Sequence, residues 1–229
     1  MVKSQRQDSR HWLLAILAAI AACALVTAHA ADRGRQGSSD SSTQTKQEPL
    51  APSAPPNTEA NAPRVRVTTS EGTFIITLFP QRAPISTANF LRYVDEGHYT
   101  NTLVHRVVGN FIIQGGGYSA VDNSAKPTHD PIPNESGSGL RNVRGTVGVA
   151  RSENPHSGSA EFYVNIADNP DLDPVPTRWG YAVFGRVVEG MENIDRMGTA
   201  ATGSVGPFKK DSPLKPIVIQ KIERIAPSK

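Results

Sequence analysis

Leu103-Val104-His105-Arg106-Val107-Val108-Gly109-Asn110-Phe111-Ile112-Ile113-Gln114-Gly115-Gly116-Gly117 is the stretch around which the chain is organised. It reads as two short strands, Leu103 to Val108 and Phe111 to Gln114, joined at Gly109-Asn110. The glycines that follow let the backbone turn sharply or approach another chain closely. Strict alternation puts Val104, Arg106 and Val108 on one face, with Leu103, His105 and Val107 on the other. An arginine in such an apolar run is unusual, because Arg is rarely buried without a partner. Either its head reaches water from an edge strand, or it is held on a rigid strand and aimed at a ligand beside Phe111 and Gln114. His105, on the opposite face, reads as structural.

Working outward, Val65 to Thr69 and Thr73 to Phe79 are rich in β-branched residues and flank Glu71-Gly72, which predicts a hairpin. Pro84 suits the first turn of a helix, Ile85, Ala88, Leu91 and Val94 recur at intervals of three, and Gly97 stops it after Glu96. Met191 to Met197 reads as a second, short helix. Four further strands are expected: Thr146 to Ala150, Phe162 to Ile166, Ala182 to Val187 and Ile217 to Ile225. Many short strands separated by turn residues argue for a mainly β barrel or sandwich, and about 160 residues are ample for one core.

The first sixty residues do not have this character. A polar, basic head (Met1 to His11), an apolar run (Trp12 to Val26) and the small-residue site Ala28-His29-Ala30 describe a secretory signal peptide over residues 1–30. The run falls short of the roughly 20 residues that span a bilayer. An uncleaved anchor is one alternative. Another is a lipoprotein, because Ile20-Ala21-Ala22-Cys23 resembles a bacterial lipobox. Residues 31–63 are rich in Ser, Thr, Gln, Pro and Ala and cannot bury enough apolar surface to offset the entropy of ordering them. They read as a disordered linker with a reach of roughly 30 Å. The domain itself is assigned to residues 64–229.

Cys23 is the only cysteine, so an internal disulfide and a Cys-based zinc site are excluded. Residues 1–30 hold Lys3, Arg6 and Arg10 against Asp8, a net of +2, so their removal lowers the formal charge from +3 to +1. With no basic patch interleaved with aromatics, nucleic acid is not an expected partner. No His-x-x-x-His pair lies near a Glu, so no metal is expected. The glycine run lacks a following Gly-Lys-Ser/Thr, and His156, Ser157 and Ser159 lack a nucleophile-elbow pattern.

His105-Arg106-Val107 and Phe111-Ile112-Ile113-Gln114-Gly115-Gly116-Gly117 closely resemble the cyclophilin-type peptidyl-prolyl cis/trans isomerases. Asn134-Glu135, Gly139-Leu140-Arg141-Asn142, Arg144-Gly145-Thr146, Glu161-Phe162-Tyr163 and Val183-Phe184-Gly185 follow in the family's order and spacing. The likeness covers roughly Arg64 to Ala226. It is strongest to the bacterial exported cyclophilins, which share Gly180-Tyr181-Ala182-Val183-Phe184-Gly185. The resemblance implies an eight-stranded antiparallel closed barrel capped by two helices, no cofactor, and a monomer acting on proline-containing polypeptides among unfolded exported proteins in the periplasm. A membrane tether through Cys23 is the alternative localisation.

The resemblance also implies roles. Arg106 carries the electrostatic, catalytic part. Phe111, Ile112, Tyr163 and Leu172 line a proline pocket, and Tyr181 closes it where many relatives have His. Gln114 bonds the substrate backbone, Ala150 and Arg151 present main-chain groups, and Glu161 stands beside the same groove. There are departures. Val104 stands where an aromatic is common, Gly109-Asn110 replaces Pro-Gly, Ile112 replaces Met, Glu161 replaces Gln, Tyr163 replaces Phe, and Asp171 occupies a Trp or apolar position. Periodicity alone would instead assign Phe111, Ile112, Tyr163 and Leu172 to the core.

The chemistry suits such a site. The X–Pro amide resists rotation by about 18–20 kcal/mol through its partial double-bond character, and uncatalysed isomerisation takes tens of seconds or more. No bond breaks, so no nucleophile or metal is required. A fixed guanidinium near the prolyl nitrogen favours the twisted state, in which the nitrogen lone pair is free; that is differential binding of the transition state. A proline-peptide binding module or chaperone on the same fold, with weak catalysis, is the alternative function.

Overall fold

A computed structural model describes residues 61–226; the expected signal sequence, Cys23 and the linker up to residue 60 lie outside them. The strands are β1 (Arg64–Thr69), β2 (Gly72–Leu78), β3 (Thr102–Val108), β4 (Ile112–Ser119), β5 (Thr146–Val149), β6 (Phe162–Asn165), β7 (Val183–Glu189), β8 (Thr202–Val205), β9 (Phe208–Pro213) and β10 (Ile217–Ile225). The helices are α1 (Pro84–Asp95) and α2 (Met191–Gly198). Eight of the strands close an antiparallel barrel in the order β1-β10-β3-β4-β6-β5-β7-β2. First and last strands are neighbours, with Arg64 opposite Ile225. The packed domain includes residues just before β1: Ala62 is buried, and the Leu78 N–H donates to the Pro63 carbonyl at 2.9 Å.

The eight barrel strands and two helices follow the expected pattern, with local shifts. The first hairpin turns at Ser70-Glu71, since Thr69 pairs with Gly72. Phe111 belongs to the three-residue turn between β3 and β4, because Val108 pairs with Ile112. β4 runs on through the glycines to Ser119. The hairpin β8–β9, a separate two-stranded sheet, had no counterpart in the sequence reading.

Helix α1 buries only half of the stripe its periodicity indicated, Leu91 and Val94, and a broader face beside it. Ile85 and Ala88 face solvent, while Ala83, Thr87, Phe90, Leu91, Tyr93 and Val94 are buried. The interval of three named a stripe, but the aromatics decide the contact: Phe90 meets Tyr99, Phe162 and Phe184 with ring centroids 5.1–5.5 Å apart. Such offset and edge contacts add to simple area burial. The helix has no side-chain cap of its own. Instead the distant Glu135 carboxylate accepts from the Ile85 and Ser86 N–H groups at 3.1 and 2.7 Å, satisfying orphan donors where negative charge is favoured. Ile194 and Met197 of α2 enter the same core, which fills the barrel.

The alternation expected for β3 fails at one point, and that point positions the site. Val104 pairs with Gly115 and Arg106 with Gln114, so His105 is an extra residue on β3, a β-bulge. Across it the phase changes. Val104 and Val107 both face the interior, while Arg106 and Val108 face outward beside Gln114 and Ile112. Val104 and Arg106 therefore do not share a face. His105 does not point away from Arg106's side into the barrel either. Its ring lies under the hairpin, stacked on Phe208 at 5.4 Å and edge-on to Tyr118 at 4.7 Å.

Candidate active site

The outer surface of β4, β5 and β6 carries a second apolar cluster, separate from the barrel core. Ile112, Ala150 and Tyr163 are its buried centre, and Phe111, Leu172 and Tyr181 pack around them. Alternation generates it. On β4, Ile113 points in and Ile112 out; on β6, Phe162 and Val164 point in and Tyr163 out. Gly148, paired with Tyr163, leaves the room that the Tyr163 ring occupies, and a Cβ there would collide with its hydroxyl end. The four residues that periodicity alone would have put in the core thus sit in a separate external cluster.

Tyr163 is anchored from beneath. Its hydroxyl donates to Asn142 Oδ1 at 2.6 Å, and burial holds it well above the ordinary phenol range, so it stays a donor. Asn142 donates through Nδ2 to Asp173 Oδ1 at 3.1 Å and to the Tyr181 carbonyl at 3.3 Å. Asn165 Nδ2 donates to Asn142 Oδ1 and to Thr146 Oγ1, and Asn169 Nδ2 donates to Asn165 Oδ1 and to the Phe111 carbonyl at 2.9 Å. One polar net therefore ties down the floor, the Phe111 turn and Tyr181. In the sequence Asn142 stands within a family motif but carries no assigned role, and Asn165, Asn169 and Asp173 stand in none of the motifs quoted above. Asparagine on the outward phase of β6, at Asn165, was the available signal.

Beside this pocket lies a polar row. Arg106 Nη1 donates to Gln114 Oε1 at 3.3 Å, and Gln114 Nε2 donates to Glu161 Oε2 at 2.8 Å. Gln114's amide is therefore fixed in one orientation, because each end has a partner of opposite character. Glu161 lies over Gly117, where a Cβ would overlap its carboxylate. Burial raises the Glu161 pKa, and the bond from Gln114 partly opposes this. His105 Nε2 lies 3.5 Å from the same carboxylate. Burial, then the charge of Arg106, lowers the His105 pKa to about 4, so the ring is neutral at physiological pH.

Arg151 folds its guanidinium over the Tyr181 ring, 4.2 Å from the centroid, and donates to the Gly180 and Trp179 carbonyls at 3.3 and 3.1 Å. The Ala150 N–H is committed to the Glu161 carbonyl at 3.0 Å, so any main-chain contact of Ala150 with a bound chain falls to its carbonyl. Asp171 is exposed on the short 3-10 turn Pro170–Leu172. All ten residues singled out from the sequence thus meet on one face. Asp211, from the unanticipated hairpin, joins them: its Oδ2 is 3.7 Å from Arg106 Nε. An apolar recess, a tethered guanidinium and an amide at its edge can seat a small ring and address polar atoms next to it.

Residues 64–224 match the family model described as Cyclophilin type peptidyl-prolyl cis-trans isomerase/CLD. The chain belongs to this family of isomerases. It is 45% identical over 161 residues to peptidyl-prolyl cis-trans isomerase A of Dickeya dadantii, covering 70% of this chain and 84% of that protein. Against peptidyl-prolyl cis-trans isomerase B of Escherichia coli the identity is 41%, over 67% of this chain and 94% of the other. Among solved structures, a Cryptosporidium parvum cyclophilin type peptidyl-prolyl cis-trans isomerase, crystallised in the presence of the dipeptide Ala-Pro, is similar with a TM-score of 0.59. It is 25% identical, and the match covers 71% of this chain and 99% of that one.

Proposed function

We propose that the outer face of β3, β4 and β6 isomerises X–Pro bonds of exported polypeptides, with Arg106 as its catalytic residue. The observation that carries this is a juxtaposition: a guanidinium bonded to Gln114 stands beside an apolar recess built outside the barrel core. The proline ring rests on Phe111, Ile112, Tyr163 and Leu172, under Tyr181. Gln114 meets the substrate backbone, Ala150 and Arg151 meet the residue before proline, and Glu161 borders the groove. Arg106 donates toward the prolyl nitrogen as it becomes pyramidal, an interaction absent from both planar ground states. A relative crystallised with Ala-Pro supports a proline-containing ligand.

Arg106→Ala tests the assignment in a protease-coupled assay of a proline tetrapeptide. Loss of one preorganised donor lowers kcat/KM by roughly 10²–10³. The melting temperature stays within a few degrees, because the guanidinium faces the cleft. Turnover equal to wild type in this variant removes Arg106 from the mechanism. Binding of the peptide without turnover in the wild type would favour the chaperone reading.

The protein works as a monomer in the periplasm, starting at Ala31 after signal cleavage, with the linker as a tether. Intact-mass measurement of the native protein decides this. A mass corresponding to a diacylglycerol-modified Cys23 at the N-terminus would make it a membrane-tethered lipoprotein instead.

A further inference from the structure

We propose that Asp211 is a positioning residue for Arg106, and that the β8–β9 hairpin serves as the strut delivering it; this rests on the isomerase reading above. Between Val205↔Phe208 and Gly203↔Ser212, β9 carries two more residues than β8. The excess forms a bulge containing Asp211, whose φ is +58°. Asp tolerates this left-handed backbone better than most residues but still with strain. The conformation turns the Asp211 carboxylate to Arg106 Nε at 3.7 Å. The hairpin is itself pinned. Phe208 stacks on His105 and meets Tyr118 edge-on at 4.9 Å, and Ser212 and Pro213 are buried.

The need for such a strut follows from exposure. The Arg106 side chain is 37% exposed, and a long side chain at a cleft mouth has many rotamers unless it is restrained. Gln114 holds Nη1 from the β4 side and Asp211 faces Nε from the hairpin side, while Nη2 has no hydrogen-bond partner among the described residues. Bonded along one edge and flanked by a carboxylate along the other, the planar fork presents its remaining nitrogen in one direction. Water screens the Coulomb attraction of a pair this exposed. The carboxylate's contribution is therefore orientation, which enters the rate as a fixed attack geometry.

Asp211→Gly in the full chain separates this role from a structural one. Glycine suits the left-handed backbone, so the melting temperature is unchanged or higher. The value of kcat for a proline tetrapeptide falls about three- to tenfold with KM nearly constant. Asp211→Asn, which keeps the backbone preference, recovers part of the loss by a neutral contact. In an Arg106→Lys background, Asp211→Gly changes activity less than about twofold, since the fork it aligns is gone. An Asp211→Gly enzyme with undiminished or raised kcat, while Arg106→Ala is inactive, overturns the inference alone. Full activity in Arg106→Ala overturns both this inference and the reading it rests on.

Discussion

Ile113 and Ile112 are neighbours on β4, yet Ile113 belongs to the barrel core and Ile112 to a small cluster outside it, whose flanking residues Phe111, Leu172 and Tyr181 are only partly buried. The barrel core is closed at its ends by Phe90, Ile194 and Met197 from the two helices, so its apolar surface is spent on folding. The outer cluster has a buried centre, but Phe111, Leu172 and Tyr181 around it keep part of their surface exposed. That exposed apolar surface is available to a ligand. The same alternation thus builds stability on one side of a strand and recognition on the other, and the difference lies in what covers each side.

The sharpest way to break this comparison is a pair of truncations. Phe162→Ala, in the interior, should cost about 3–5 kcal/mol of stability, as emptied aromatic sites do, with chemical denaturation as the measure. Phe111→Ala, on the rim, should leave stability within about 1 kcal/mol and lower kcat/KM about tenfold, equivalent to 1.4 kcal/mol of transition-state binding. Equal stability losses in the two variants would mean that the outer cluster is core after all.

A smaller effect probes the ring between the two regions. The His105 pKa is about 4 when folded, against 6.5 as its ordinary value. Between these values the unfolded chain binds more protons, so this group's contribution falls as pH drops through that window, by about 3 kcal/mol in all. Glu161 acts with the opposite sign, since its raised pKa makes the folded state take up a proton first on acidification. Stability of wild type minus His105→Gln, followed from pH 7 to pH 4, should decline toward acid. A flat difference would show that His105 is not held neutral beneath the hairpin. The smallest expected effect is Tyr163→Phe. It removes the bond to Asn142 and should cost about 1 kcal/mol while leaving kcat/KM within about twofold. A large loss of activity would mean that the hydroxyl, not only the ring, serves the recess.

Much of this was legible in the sequence because it depends on local chemistry. Glycines, Pro84 and β-branched runs mark turns, a helix start and strands wherever the chain goes next. The barrel strands emerged that way, and the candidate site residues were named from the family resemblance. Three features were not legible, each for a nonlocal reason. The bulge at His105 is set by where β4 pairs, which no alternation within β3 records. The buried face of α1 was decided largely by Phe162 and Phe184, residues remote from it in the chain. The β8–β9 hairpin, with Lys209, Lys210 and Asp211 in its second strand, has the composition of a loop. It becomes ordered because Phe208 finds His105.

The adjacency of β1 and β10 bears on the order of assembly. Arg64 cannot meet Ile225 until nearly the whole domain has been made. A ribosome delivers the N-terminus first, so the β1–β2 hairpin waits with both edges unpaired until β7 is made, and with its β1 edge unpaired until β10 follows. Such edges invite pairing with other chains, and ring closure between sequence-distant strands is slow. The barrel therefore acquires its final seam last, from its last strand. Truncation within Ile217–Ile225 would remove that seam and leave β1 and β3 each with one open edge.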